Sequence, residues 1–164
     1  MSVESSSVCA RCAAQGTSCC VSVEGVSGPP LTPADIERIS TATGRAATEF
    51  VVEREVDLIE HLAWEQDDPA TRGLVREGRV RSLARRGDEC IFLSANGCEL
   101  GSARPLLCQR FPFMRVNGVI DVKPGGFCLA VDEAADLPQL LTMLGTGRKQ
   151  LQAIDEQLQR ELTK

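Results

Sequence analysis

Eight cysteines carry most of the chemistry open to this 164-residue chain. Cys9 and Cys12 are separated by two residues, and Cys19 and Cys20 are adjacent. Residues 21–89 hold no cysteine, after which come Cys90, Cys98, Cys108 and Cys128. A Cys-x-x-Cys spacing lets one turn of backbone aim two sulfurs at one ion while amide N–H groups stabilise their charge. A tetrahedral all-cysteine site uses four thiolates, so the count suffices for two zinc ions, two iron–sulfur clusters, or one of each. Soft thiolates accept zinc, Cu(I) and iron–sulfur clusters alike. Neighbouring side chains on an extended chain point to opposite sides. Cys19 and Cys20 could therefore serve two sites, or one of them could stand behind the other.

Little else in the sequence competes with metal binding. His61 is the only histidine; it stands four residues after Asp57, reads as an ordinary surface or hydrogen-bonded side chain, and is assigned no metal. No Cys–His nucleophile pair or H-E-x-x-H zinc-hydrolase motif can be assembled around it. A phosphate-binding G-x-x-x-x-G-K-[ST] loop and a dinucleotide fingerprint are also missing, so whether the chain is an enzyme stays open.

Apolar residues make up 43% of the chain and charged residues 25%, the balance of a soluble folded protein. Aromatics are only 4%, which leaves Leu, Val, Ile and Ala to build a modest core that metal crosslinks would help. The formal charge of -5 disfavours bulk nucleic-acid binding. Against that balance, Arg72, Arg76, Arg79, Arg81, Arg85 and Arg86 form a basic stretch opposed only by Glu77. A solvated face is its ordinary reading, and a docking strip for an acidic partner the sharper one. No apolar run approaches the roughly 18 residues of a membrane span, and Met1 to Val8 lacks the apolar stretch of a secretory signal. A cytoplasmic location is expected, where thiols stay reduced and act as ligands in preference to disulfides.

The elements that must position these thiols read as a small α+β domain with short strands or hairpins, metal-binding loops and C-terminal helices. The stretch from Cys9 to Cys20, with Gly16, reads as a loop. Val21, Val23 and Val26 suggest a short strand ended by Gly28-Pro29-Pro30. Thr32, Pro33 and Asp35 open a helix that turns Leu31, Ile36 and Ile39 inward and stops at Gly44. Phe50, Val52, Val56, Ile59 and Ala63 recur at mostly helical spacing, although Val51-Val52 also suits an extended chain. Asp68-Pro69 marks a turn, and the arginine-rich stretch has mixed periodicity. Cys90-Ile91-Phe92-Leu93 followed by Asn96-Gly97 reads as a hairpin knuckle with a type I′ turn. A short helix is expected near Ser102, broken by Phe111-Pro112-Phe113, and a second hairpin over residues 116–122, with Pro124-Gly125-Gly126 turning the chain towards Cys128. Asp136 caps a helix to Leu144, and a last helix runs from Arg148 to Leu162. Its stripe of Leu151, Ile154, Leu158 and Leu162 packs on the domain or, alternatively, makes a dimer seam.

Taken together, Cys9-x2-Cys12-x6-Cys19-Cys20, Cys90-Ile-Phe-Leu, Gly97-Cys98, Arg104-Pro105-x2-Cys108-x-Arg110-Phe111-Pro112-Phe113 and Cys128 resemble the YkgJ-type cysteine-cluster family. That family is also described as the CxxCxxCC zinc- or iron-chelating domain. Here six residues, where the tightest form of its first motif has two, separate Cys12 from the vicinal pair. The resemblance covers about Cys9 to Cys128 and implies metal binding by these cysteines; the chain reads as a metal-binding domain over residues 1–135 with residues 136–164 as a helical segment packed on it. The resemblance also implies an iron–sulfur cluster, such as 4Fe-4S, or zinc as the cofactor, and an unidentified protein or redox partner. Arg104 and Arg110 bracket Cys108, where guanidiniums would offset the negative charge of a tetrathiolate site or, alternatively, meet an anionic substrate.

Two cysteine-bearing halves so far apart in sequence must be drawn together, so metal should contribute to folding. Chelation is expected to lower the melting temperature and the helical circular dichroism signal. A chelated protein that keeps both would have no folding role for its metal.

Overall fold

A computed structural model describes residues 7–15, 19–21, 28–122 and 128–163. Gly16, Val23, Val26 and the Pro124-Gly125-Gly126 turn lie outside these residues. The helices are α1 (Val8–Ala14), α2 (Pro33–Thr43), α3 (Leu58–Asp67), α4 (Leu106–Arg110), α5 (Leu129–Glu133), α6 (Leu137–Met143) and α7 (Arg148–Leu162). Strands β1 (Val51–Glu55) and β2 (Arg79–Leu83) pair, as do β3 (Arg85–Arg86) with β4 (Glu89–Cys90), β5 (Leu93–Ser94) with β6 (Gly97–Cys98), and β7 (Phe113–Val116) with β8 (Val119–Val122). Every pair is antiparallel. This is the α+β architecture of short hairpins and helices that the sequence suggests. No helix among the described residues is long and apolar enough to cross a membrane.

α2 forms as its first turn dictates. The Thr32 hydroxyl accepts from the Asp35 N–H and the Asp35 carboxylate accepts from the Thr32 N–H, both at 2.9 Å, and Gly44 ends the helix in the left-handed region at φ 69°. Asp35 also reaches out of its helix: its second carboxylate oxygen accepts from the Leu106 N–H at 3.0 Å and it pairs with Arg38. One buried carboxylate thus closes the start of α2 and anchors the start of α4.

The helical reading of the segment from Ala46 to Glu65 is wrong over its middle. Residues 51–55 form β1, whose β-branched start pairs residue by residue with β2, from Val51 opposite Leu83 to Glu55 opposite Arg79. Only residues 58–67 are helical. The pairing also gives partners to Arg79 and Arg81 of the arginine-rich stretch. Arg79 meets Glu53 across the strands at 2.9 Å and Arg81 meets the same carboxylate at 3.5 Å, so a ladder of opposite charges faces solvent. Ahead of α2, residues 28–31 lie along the other edge of β2. Leu83 N–H donates to the Pro29 carbonyl at 3.0 Å and Leu31 N–H to the Arg81 carbonyl at 2.8 Å. A Cβ at Gly28 would stand 2.2 Å from the Leu83 carbonyl oxygen, so only glycine permits this approach.

The two short hairpins differ in their turns. Asn117 and Gly118 both take positive φ, 51° and 80°, and join β7 to β8 as a two-residue turn. Between β5 and β6 the turn sits one residue earlier than expected. Ser94 pairs with Gly97, which leaves Ala95-Asn96 at the tip and Gly97, φ 100°, in the strand.

The interior among the described residues is divided into four apolar clusters. Leu31, Ile39, Phe50, Leu83, Phe92, Leu100 and Cys90 form one, with Cys20 and Cys98 packed against it. Val8, Phe113, Ile120, Ala130, Leu140, Leu141 and Leu151 form another, with Cys128 at its edge. Ala70, Leu106, Ile154 and Leu158 form a third, so the stripe on α7 is buried against this chain's own α4. Val56, Val75 and Val80 make up the smallest.

Replacing Asp35 with Ala removes the cap partner of α2 and leaves the buried Leu106 N–H without an acceptor. The expected cost is about 2–4 kcal/mol, with Asp35→Asn losing less because it keeps one acceptor oxygen. Urea unfolding of the two variants checks the order, and equal midpoints would remove Asp35 from this role.

Candidate metal centre

All eight cysteines are thiols, with none in a disulfide. Cys9 and Cys12 lie on a helix, not in a loop as the small residues around them suggest. Ser7 caps α1 by accepting from the Ala10 N–H, and Ala10, Ala13 and Ala14 are good helix formers. The three-residue offset places both sulfurs on one face. α1 packs on β6, with Ala10 beside Gly97, and on α5. Both arms of the Arg11 guanidinium hold Glu133 of α5 at 2.9 Å. Cys128 immediately precedes α5 and is therefore carried to α1 by the same contact.

The other thiols arrive through backbone pairing. The Cys90 N–H donates to the Cys20 carbonyl at 2.7 Å, and Val21 bridges Glu89 in antiparallel fashion. The vicinal pair is thereby laid along β4. The β5–β6 hairpin sets Cys98 opposite Leu93, and α4 presents Cys108 from between its two anchored ends.

Burial is the largest influence raising the Cys9, Cys90, Cys98, Cys108 and Cys128 thiols above their ordinary value, and it pushes Cys90 up to about 11. For Cys19 the larger influence is its hydrogen bond with Cys20, followed by burial, and it too is raised. Charged forms of neighbouring thiols add to the effect: Cys9 feels Cys128, Cys12 and Cys20, and Cys108 feels Cys20, Cys90 and Cys98. Opposing them, backbone N–H groups aim at sulfur from Phe92 to Cys90, from Leu100 to Cys98, and from Val131 and Ala130 to Cys128. An N–H placed two or three residues after a cysteine favours the thiolate, the form that binds metal.

Two arginines act on the group. Arg104 lowers Cys9 and Cys98 through its charge. Arg85 lowers Cys90 and donates to the Asp88 carbonyl at 2.7 Å. It escaped the sequence reading because its basic neighbours made it look like one of a solvated row. Arg110 faces elsewhere: it is buried, pairs with Asp68, and holds Asp155 of α7 at 3.0 Å, where Arg115 also approaches Asp155 at 3.2 Å. Its guanidinium is thus engaged by two carboxylates. His61 faces Glu65 at 3.2 Å along α3.

A family profile described as "CxxCxxCC: Putative zinc- or iron-chelating domain" matches residues 8–129. The chain belongs to this family. Neither the curated proteins nor the solved structures compared with it gave a match. The matched span opens on α1 and closes just after Cys128, so it contains all eight thiols. Their softness and number suit zinc or iron, as the CxxCxxCC description has it. Among the described residues, no three Cys, His, Asp or Glu side chains are set to hold one ion as they stand.

Thiols raised above their usual range hold their protons at neutral pH, so a metal must displace them. Binding is therefore weakened as pH falls and strengthened as pH rises towards the raised values. Titrating the reduced protein with Zn²⁺ near pH 7 in weak buffer should release about three to four protons per four-thiolate site. Release of about one or fewer would mean that the thiols are already ionised, against the effect of their burial.

Proposed function

We propose that Cys9, Cys12, Cys19, Cys20, Cys90, Cys98, Cys108 and Cys128 are metal ligands, and that the metal is held as an iron–sulfur cluster, such as 4Fe-4S, serving electron transfer or redox chemistry with a protein partner. The observation that carries this reading is the convergence of thiols from both ends of the family span, with backbone N–H groups aimed at Cys90, Cys98 and Cys128. Hydrogen bonds to sulfur both prepare a thiolate and tune the potential of a cluster. When bound, the cluster would supply one-electron chemistry. The chain's own residues would hold it, offset its negative charge through Arg104 and Arg85, and leave Cys9 and Cys19 at the surface, where electrons can pass. An open surface patch at the end of α7 is lined by Glu156, Gln159, Arg160 and Thr163.

A second reading, a zinc-binding structural or interaction module, is favoured by the divided interior. The cysteines stand between two separate apolar clusters, and a zinc crosslink there would join them without any redox role.

Anaerobic purification followed by metal and sulfide analysis and a visible spectrum separates the two. Iron and inorganic sulfide at about four each per cluster, with visible absorbance that bleaches on reduction, is the expected result. Stoichiometric zinc in a colourless protein would replace the first reading with the second.

A further inference from the structure

Sequence order suggests that Cys9, Cys12, Cys19 and Cys20 make one site and the later four cysteines another. The fold pairs them otherwise. We propose that the thiols divide into two four-thiolate sites that each draw on both halves of the chain: Cys9, Cys12, Cys19 and Cys128 in one, and Cys20, Cys90, Cys98 and Cys108 in the other. The vicinal pair is then split between neighbouring sites. This division rests on the metal-thiolate reading above and goes beyond it by saying which thiols share a metal.

Three placements support the second group. Cys20 is bound to the Cys90 backbone by a 2.7 Å hydrogen bond and continues into the Val21–Glu89 bridge. Cys20, Cys90 and Cys98 pack into one apolar cluster, around Phe92 and Leu100. Cys108 is brought to that cluster by the Asp35 anchor on Leu106, and its thiol neighbours are Cys20, Cys90 and Cys98.

For the first group, α1 packs on α5, with the two-armed Arg11–Glu133 pair across the contact, and this sets Cys128 beside the helix carrying Cys9 and Cys12. Val8 and Cys128 belong to the same apolar cluster, separate from that of Cys90. Cys12 is the nearest-acting thiol on Cys128, and Cys128 the foremost on Cys9. Cys19 touches both groups, being bonded to Cys20 and within reach of Cys9 and Cys108. It completes the first group because the second already has four members.

The test uses Co²⁺ as a probe of thiolate sites in the reduced full-length chain, read by bound cobalt and the sulfur-to-cobalt absorption band. The parent protein should bind about two equivalents through four thiolates each. Cys20→Ser with Cys90→Ser should leave one, as should Cys9→Ser with Cys128→Ser, whereas Cys9→Ser with Cys20→Ser should abolish both. The sequence-order division predicts the reverse for all three: Cys9→Ser with Cys20→Ser would leave one site, and Cys20→Ser with Cys90→Ser, like Cys9→Ser with Cys128→Ser, would leave none. That outcome overturns the proposal while the eight-ligand reading survives. A parent protein that gains no sulfur-to-cobalt band overturns both. Cadmium NMR on the unmutated protein gives the same answer without variants that risk misfolding. ¹¹³Cd coupling that joins the β-protons of Cys20 and Cys90 at one resonance and of Cys9 and Cys128 at the other is expected, and a single ¹¹³Cd coupled to both Cys9 and Cys20 overturns the division.

Discussion

The five-residue helix α4 is too short to be stable alone, yet it carries Cys108 into the middle of the thiol group. What holds it is buried charge at each end. At its start the Asp35 carboxylate accepts the Leu106 N–H, and at its end Arg110 is clasped by Asp68 and Asp155. Burying such groups is costly unless each is paired, and here each carboxylate comes from a different element: α2, the turn before Pro69, and α7. Helix α4 is therefore the point at which three otherwise separate parts of the chain are made to agree. Its position, and with it that of Cys108, follows from their packing more than from its own sequence.

The rest of the architecture has the same character. Two apolar clusters flank the cysteines, one built on β4, β5 and α2, the other on β7, β8 and the helices after Cys128. Neither is large, and α1 packs on β6 beside the first and contributes Val8 to the second. The thiols thus occupy a seam between two small cores. Burial in that seam favours protonated sulfur, while N–H groups from Phe92, Leu100, Ala130 and Val131 favour the thiolate. A cation bound there would favour the thiolate and offset the cost of burying its charge.

Local rules read some of this directly from the sequence. The Thr32–Asp35 capping box, Gly44, the Asn117-Gly118 turn and the Asp136 cap all act over three or four residues, and each forms as expected. The metal-binding family was legible too, because its cysteines and the Arg104 to Phe113 motif lie within short windows. Long-range effects were not. Residues 51–55 carry an apolar spacing that fits a helix, but cross-strand partners some thirty residues away make them a strand. Arg110 stands next to a cysteine motif and looks like a cofactor ligand until Asp68 and Asp155 are seen around it. Cys9 and Cys12 read as a loop because metal loops favour small residues, and the alanines around them, Ala10, Ala13 and Ala14, favour a helix equally well.

Residues 21–89, without a cysteine, look at first like an insertion separating two ligand-bearing halves. They supply much of what positions those halves. Asp35 fixes α4 from this stretch, Asp68 receives Arg110, and β2 continues into β3, which pairs with β4 and places Cys90. Arg85, at the end of this stretch, binds the Asp88 carbonyl and bears on the Cys90 thiol. A chain that brought its cysteines together by short loops alone would leave each thiol free to choose its partners. Here the intervening hairpin and helices set Cys90 on β4 and anchor the helix that carries Cys108.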